Sequence, residues 1–235
     1  MKKTVSILIL LLVCSYNFLL SSIPGEIIVA YHKNFYPYSY EENDRHKGIF
    51  PEIVREAAKV MGIKVKLIKL PWKRMLQEAN IGEVDAIMPL SKTKKRTEFL
   101  DYPTNGIAVV EAFFFTRRDF KINYTGDLND LKDYTIGIVE DYSYGEEFDN
   151  ANYFQKDKSP SDEALVEKFK KGRFQVMLSS DRVIKFYAQK FEIFNEIRPL
   201  EPPITRNILH VGFSKKKSYS KELARQFSNA IEKLP

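Results

Sequence analysis

Short apolar runs rich in β-branched residues alternate with segments of helical periodicity along the first half of the chain. The runs typical of buried strands occupy residues 26–30, 65–70 and 84–88. Between them, Pro51 begins a segment with apolar residues at helical spacing that Gly62 ends, and residues 72–79 form a second short helical segment. This alternation predicts an α/β fold with a parallel sheet and right-handed crossovers.

The second half repeats the plan. Residues 134–139 have the pattern of a strand, Ser159 and Pro160 cap and begin a helix, and Gly172 ends it. Residues 82–88 and residues 172–178, 90 positions later, share one order: a helix stop, a charged residue and a buried strand. One plan used twice predicts two similar lobes rather than one wide sheet.

Two further strands are expected to connect these lobes. Residues 106–116 form a long apolar run, residues 208–213 form a shorter one, and an amphipathic helix follows over residues 220–234. If residues 208–213 pair back into the first lobe, the chain crosses between lobes twice, which makes a hinge that closes around a ligand. The predicted lobes are residues 23–115 plus 206–235 and residues 116–205.

The beginning of the chain differs from the rest. Lys2 and Lys3 precede an almost wholly apolar stretch over residues 4–20 and two serines, which predicts a secretory signal peptide over residues 1–22. A membrane anchor is the alternative, although the stretch is marginal in length and polar residues interrupt it. The sole cysteine, Cys14, lies in this stretch. Cleavage there would give a lipoprotein, but Val13 stands where a small residue is expected.

Composition argues against several kinds of function. The net charge is +6, and it falls to +4 without the leader, which holds two lysines and no acidic residue. The densest basic run, residues 92–96, has no interleaved aromatic side chains, so nucleic-acid binding is not expected. The three histidines, His32, His46 and His210, lack metal-ligand spacing, and without Cys14 no thiolate site remains. We expect no metal and no cofactor.

The clearest candidate chemistry follows the strand that ends near Met88. The chain there enters a loop and a helix over residues 93–99, whose beginning offers free backbone N–H groups to an anion. Arg96 stands beside that helix start, and a guanidinium can hold a carboxylate with two parallel hydrogen bonds. Ser91 and Thr93 add hydroxyl donors. The alternative is a solvated basic turn.

Four segments resemble those of a known family: residues 35–38, 48–53, 82–87 with 91–96, and 136–139 with 142–145. The third, Gly-Glu-Val-Asp-Ala-Ile followed by Ser-Lys-Thr-Lys-Lys-Arg, is the most specific. From about residue 26 to residue 234 the chain resembles the family-3 periplasmic solute-binding proteins that serve polar amino-acid ABC importers. The resemblance implies the type II periplasmic-binding-protein fold: two lobes, each a mixed, mostly parallel sheet flanked by helices, joined by a hinge of two crossings.

The resemblance also implies further ligand contacts beside Arg96, Thr93 and Ser91. From the first lobe these are His32, Phe35, Tyr38 and Trp72, and from the second lobe Tyr142, Ser143 and Asp181. For the aromatic residues packing is the alternative, and for Asp181 it is a helix-capping role. The loop over residues 141–143 is bulkier than the family's usual small loop. Asp181 is also displaced from the place where the family has the acid that meets the ligand's amino group, and both departures weaken the assignment to an α-amino acid.

The function so implied is that of a monomeric periplasmic receptor, not an enzyme. It would capture a small carboxylate-bearing solute, such as a polar amino acid, for an ABC permease in the inner membrane. An orphan or sensory receptor is one alternative. Another is a cyclohexadienyl-dehydratase-like lyase on the same fold, for which Glu140, Asp141 or His32 would be the general acid.

Overall fold

The computed structural model describes residues 23–32 and 34–234, so the predicted signal peptide and Cys14 lie outside the described residues. The strands are β1 (Glu26–His32), β2 (Tyr40–Glu42), β3 (Arg45–Lys47), β4 (Lys64–Leu70), β5 (Ala86–Ser91), β6 (Leu100–Asp101), β7 (Ala108–Arg117), β8 (Thr135–Val139), β9 (Gln155–Ser159), β10 (Val176–Ser180) and β11 (Ile197–Ser214). The α-helices are α1 (Ile49–Met61), α2 (Trp72–Ile81), α3 (Lys94–Thr97), α4 (Glu146–Asn150), α5 (Asp162–Lys170), α6 (Asp181–Lys190) and α7 (Ser220–Ile231). Short 3-10 helices cover Leu128–Leu131 and Phe194–Glu196.

The main sheet has the strand order β4-β1-β5-β11-β7-β10-β8-β9. In the first strand group (β4, β1 and β5), β1 pairs parallel with both neighbours, and in the second strand group (β10, β8 and β9), β8 does the same. The predicted parallel pairing is confirmed. The two groups are nevertheless not separate sheets, because the antiparallel crossing strands β7 and β11 pair with each other and with both groups.

The crossing strand β11 is much longer than predicted. Its end, from Leu209 to Phe213, pairs with β5, which confirms the expected return of residues 208–213 to the first half of the sheet. Its beginning at Ile197 was missed because Pro199, Pro202 and Pro203 break the apolar pattern there, and the register with β7 shifts in the same stretch. The division into residues 23–115 plus 206–235 and residues 116–205 stays a prediction.

Helices cover both faces of the first strand group. Alternate side chains of β1 point to opposite faces, so Tyr31 packs in the cluster that holds Phe50 of α1, whereas Ala30 packs in the cluster that holds Trp72 and Met75 of α2. A parallel strand buried on both faces explains the near-continuous apolar run of the sequence. Within the described residues no helix combines the length and apolarity needed to cross a bilayer.

Two helix starts differ from the prediction. α1 begins at Ile49 rather than at Pro51, because Gly48 adopts a φ of 104° and turns the chain into the helix two residues earlier. α5 begins at Asp162, and its N-cap is Ser161, whose hydroxyl accepts a hydrogen bond from the backbone N–H of Ala164. Ser159, the predicted cap, ends β9 instead.

Candidate functional site

A cavity lies between the two strand groups, where parallel strands end. His32, Ser91 and Ser180 are the last residues of β1, β5 and β10, and all three line it. The carboxyl ends of parallel strands are the usual ligand-binding edge of an α/β sheet. The cavity has a volume of about 70 Å³. The other lining residues are Phe35, Trp72, Pro89, Leu90, Arg96, Val110, Ala112, Tyr142, Ser143, Tyr144, Ser179, Asn207 and Leu209.

Arg96 is the cationic side chain of this cavity. It lies in α3, which is shorter than predicted and has Thr93 as its N-cap; the Thr93 hydroxyl accepts a hydrogen bond from the Arg96 backbone N–H, 3.3 Å away. The Arg96 side chain, 6% exposed, donates from Nη1 to the carbonyl oxygen of Ser91 and from Nη2 to that of Asp141. Its guanidinium carbon lies 5.1 Å from the centroid of the Trp72 ring. Hydrogen bonds and ring contact together hold the charged group at the cavity wall.

No carboxylate within the described part of the chain forms an ion pair with Arg96, whose bonds go to neutral backbone oxygens. Burial lowers the pKa of its guanidinium, but arginine stays protonated in proteins. The carboxylates of Asp149 and Asp141 attract this charge without bonding to it, so an anion that reaches Arg96 gains a direct pairing that neither acid supplies. The site therefore has the electrostatics of an anion receptor.

Trp72, the first residue of α2, adds an unused donor. The residue is 5% exposed, and its Nε1 has no hydrogen-bond acceptor among the described residues. Its ring meets the rings of Tyr142 and His32 edge to face, with centroids 5.1 and 5.7 Å apart. An indole N–H only donates, so this group also suits an anionic oxygen.

A chain of polar contacts links the two strand groups beside the cavity. The Tyr142 hydroxyl donates to Oδ2 of Asp162 at 3.0 Å and lies 3.1 Å from Nδ1 of His32, and the Ser179 hydroxyl donates to Oδ1 of the same carboxyl group. A tyrosine hydroxyl has one proton, and Tyr142 uses it in the hydrogen bond to Asp162. Toward His32 the hydroxyl oxygen can therefore only accept, so His32 donates from Nδ1. Burial raises the pKa of Asp162 to about 6, although the bonds from Ser179 and Tyr142 lower it.

Most of the predicted contact residues line the cavity: His32, Phe35, Trp72, Ser91, Arg96, Tyr142 and Ser143. Three predicted residues, Thr93, Tyr38 and Asp181, are not among the lining residues. Thr93 caps α3, and Tyr38 stacks on the rings of Phe35 and Phe50, each 5.3 Å away. Asp181 is the first residue of α6, where its carboxylate pairs with Lys185 at 2.9 Å.

Sequence reasoning missed Ser179, Ser180 and Asn207, which line the cavity, and Asp162, which supports it. The two serines directly follow the predicted strand of residues 174–178, so their position at the carboxyl end of a strand was a usable signal. Asn207 lies in the proline-rich stretch that was not predicted as a strand. Asp162 offered no local signal, because only the packing of α5 brings it to Tyr142.

Only one of the three residues named as the general acid of a lyase lines the cavity. His32 lines the cavity, whereas Glu140 and Asp141 do not. The Glu140 carboxylate lies 3.9 Å from the ammonium group of Lys73, and Asp141 contributes its backbone oxygen to Arg96. Among residues 23–32 and 34–234, no group of three or more potential metal ligands is assembled.

Comparison with known proteins gives one family. The model for bacterial extracellular solute-binding proteins, family 3, matches residues 27–235. The probable ABC transporter extracellular-binding protein YckB of Bacillus subtilis (strain 168) is 38% identical over 85 residues, which is 34% of this chain and 30% of YckB. The arginine-binding extracellular protein ArtP of the same organism is 23% identical over 172 residues, which is 69% of this chain and 64% of ArtP. The match thus spans less than two thirds of either relative.

Solved structures share the fold. A histidine kinase sensor domain with similarity to periplasmic binding proteins superimposes with a TM-score of 0.78 at 20% identity, covering 88% of this chain and 89% of that one. An ancestral arginine-binding protein bound to arginine gives 0.76 at 16% identity, covering 90% and 92%. Holo ArgBP from T. maritima gives 0.75 at 13% identity, covering 88% and 89%. The predicted type II periplasmic-binding-protein fold is confirmed.

Proposed function

The chain belongs to the bacterial extracellular solute-binding proteins of family 3, and we propose that it captures a small carboxylate-bearing solute after export and delivers it to an ABC permease. The match of the family model agrees with the resemblance found in the sequence. The proposed place of action is the periplasm, and the proposed receptor is a monomer.

One observation carries the proposal: the buried guanidinium of Arg96 lines the cavity and has no carboxylate partner in the described part of the chain. A solute carboxylate would supply the directly bonded counter-charge that no described acid provides. Trp72 Nε1 would supply another donor to it. Charge-assisted hydrogen bonds of this kind are about twice as strong as neutral ones.

Both strand groups and the crossing strands contribute to the cavity, so binding of a solute would change how the two groups are arranged. The cavity takes lining residues from the first strand group, such as Ser91, from the second, such as Ser180, and from the crossing strands, such as Asn207. A solute that touches both groups stabilises the arrangement in which they approach each other, and so shifts an existing equilibrium toward it. A permease would then recognise the loaded form.

Relatives suggest the first solutes to test. ArtP and several of the similar solved structures are named as arginine-binding proteins, and one ancestral protein is described with glutamine bound. Amino acids are therefore the first members of the carboxylate class to examine, as the sequence also predicted. Their polar side chains would contact the lining serines and Asn207.

A thermal-shift screen tests capture. The protein is expressed with its leader, purified after export and heated with single amino acids or small carboxylates. A solute at 100 times its dissociation constant should raise the free energy of unfolding by about 2.7 kcal/mol. If no carboxylate changes the melting temperature, the proposal is wrong. Turnover of prephenate or arogenate would instead favour the lyase.

Delivery to a permease needs a separate experiment. In the source organism, deletion of the gene should abolish uptake of the solute identified in the screen. Unchanged uptake together with intact binding would exclude the importer and favour the sensory receptor.

A further inference from the structure

The wall of the cavity contains no acidic side chain. Its lining residues include the cation of Arg96, several hydroxyl groups and aromatic rings, but neither an aspartate nor a glutamate. The undescribed positions do not alter this, because residues 1–22, Lys33 and Pro235 include no acidic residue. Every aspartate and glutamate side chain of the protein is thus among the described ones, and none lines the cavity.

Two acids, Asp162 and Asp149, accept hydrogen bonds from lining residues, and neither lines the cavity itself. Asp162 is 1% exposed, and each of its carboxyl oxygens accepts a hydrogen bond, one from Tyr142 and one from Ser179. These two side chains line the cavity, whereas Asp162 does not. A cationic group of a solute would face the hydroxyl groups and not the carboxylate.

The neutral acceptors of the wall, among them the Ser180 hydroxyl, which has no hydrogen-bond partner within the described residues, bring no charge that would balance an ammonium group. The side-chain oxygen of Asn207 accepts from the Thr205 hydroxyl, and its amide nitrogen donates to the carbonyl oxygen of Ser143. The Ser143 hydroxyl donates its proton to the carboxylate of Asp149, so only its neutral oxygen is left to a solute. A solute ammonium held near Arg96 would lose its hydration shell without gaining a counter-charge, which is unfavourable.

We propose that the natural solute is a monocarboxylate whose body carries no positive charge, rather than a zwitterionic or cationic amino acid. Its carboxylate pairs with Arg96 and accepts from Trp72 Nε1. Its body, apolar or bearing hydroxyl or oxo oxygens, packs against the rings of Phe35, Trp72 and Tyr142. This inference rests on the proposed capture of a carboxylate and narrows its class.

Matched pairs that differ only by the α-ammonium group test it. Calorimetry measures the affinity of the protein for leucine and 4-methylpentanoate, phenylalanine and 3-phenylpropanoate, and glutamine and 5-amino-5-oxopentanoate. In any pair that binds, the acid without the amino group should bind at least about 30-fold more tightly, because an unpaired buried charge is costly. An amino acid that binds as tightly as its partner or better overturns the inference but leaves capture intact. Failure of all pairs, together with a negative thermal-shift screen, overturns capture itself.

An acid introduced into the wall should reverse the preference. Ser180→Asp places a carboxylate at the end of β10, and Asn207→Asp does so in β11 with almost no change of shape. Each variant should favour the amino acid over its desamino partner relative to the wild-type protein. Two variants are needed because Ser180 is 7% exposed, and its replacement alone could disturb folding. If folded variants keep the wild-type ratio, the missing counter-charge does not determine the choice of solute.

Discussion

Nη2 of Arg96 lies 2.8 Å from the carbonyl oxygen of Asp141, a residue 45 positions later in the chain. Asp141 adopts a φ of 62°, in the left-handed region that aspartate tolerates better than most residues, in the turn that follows β8. The bond joins the strand groups on the two sides of the cavity. It uses one of the five N–H donors of the guanidinium, and Ser91 uses another. The side chain that we propose to bind the anion thus also connects the two sides.

Arg96→Met should weaken carboxylate binding. Methionine has a similar length but no charge, and a hydrogen bond to a charged group contributes about 1.5–3 kcal/mol. We expect affinity for the solute to fall about 10- to 150-fold by calorimetry. The control is Arg173→Met, which removes the same charge from an exposed position that does not line the cavity. Equal affinities in the two variants would contradict the role of Arg96.

Solute binding should change the tryptophan fluorescence of the protein. Trp72 is the single tryptophan of the chain and lines the cavity beside Arg96, so its emission reports on that place alone. A carboxylate that accepts from Nε1 changes the polarity around the ring. Titration should give a saturable change with the dissociation constant found by calorimetry. Tight binding without any spectral change would place the solute elsewhere.

Trp72→Phe should weaken binding more than it weakens folding. The indole N–H has no acceptor among the described residues, so its loss removes no internal hydrogen bond. Without solute, the changes are confined to packing around the smaller ring and to its contact with the Arg96 guanidinium. With solute, a charge-assisted bond worth about 1.5–3 kcal/mol is lost. Paired measurements of melting temperature and affinity separate the two effects, and an equal loss in both would indicate a packing role.

Tyr142→Phe should destabilise the folded protein. The hydroxyl is a donor to the buried Asp162 and a neighbour of His32 Nδ1, so both groups lose a partner. Leaving a buried polar group unsatisfied costs about 1–3 kcal/mol. Urea unfolding should show this loss. Tyr153→Phe, at a residue that is 45% exposed, is the control and should change stability little.

Asp162→Asn should change how stability depends on pH. The pKa of Asp162 is about 6 in the folded protein against 3.8 in its ordinary state, so below pH 6 the folded state binds a proton that the unfolded state does not. The wild-type protein therefore gains stability relative to the variant as the pH falls from about 7 to about 4, by roughly 3 kcal/mol for a shift of this size. Urea unfolding at several pH values measures the difference.

A second aspartate, Asp127, should make stability depend on pH in the opposite direction. Hydrogen bonds from Asn129 lower the pKa of the exposed Asp127, so at that position the wild-type protein loses stability relative to Asp127→Asn as the pH falls through that lowered pKa. If the free energy of unfolding changed with pH in the same way for the wild-type protein and for Asp162→Asn, Asp162 would not titrate as described.

The sequence by itself determined the elements and one charged residue of the site. Apolar periodicity and turn residues are local signals, so the parallel strands other than β9, the helices α1, α2 and α5 and the position of Arg96 after β5 followed from them. The similar order of residues 82–88 and 172–178 likewise indicated one plan used twice. Each of these patterns is a local one, set by the helix or strand periodicity of neighbouring residues, and can therefore be read from a single sequence.

Only the tertiary structure decided what surrounds that charge. Tyr142 meets Asp162 across 20 residues and His32 across 110, and the Arg96 side chain meets Asp141 across 45. Such contacts depend on strand register and helix packing, and local periodicity does not contain that information. The absence of any acid from the cavity wall has the same origin, because acidic residues abound in the sequence and only the fold decides that none of them lines the cavity.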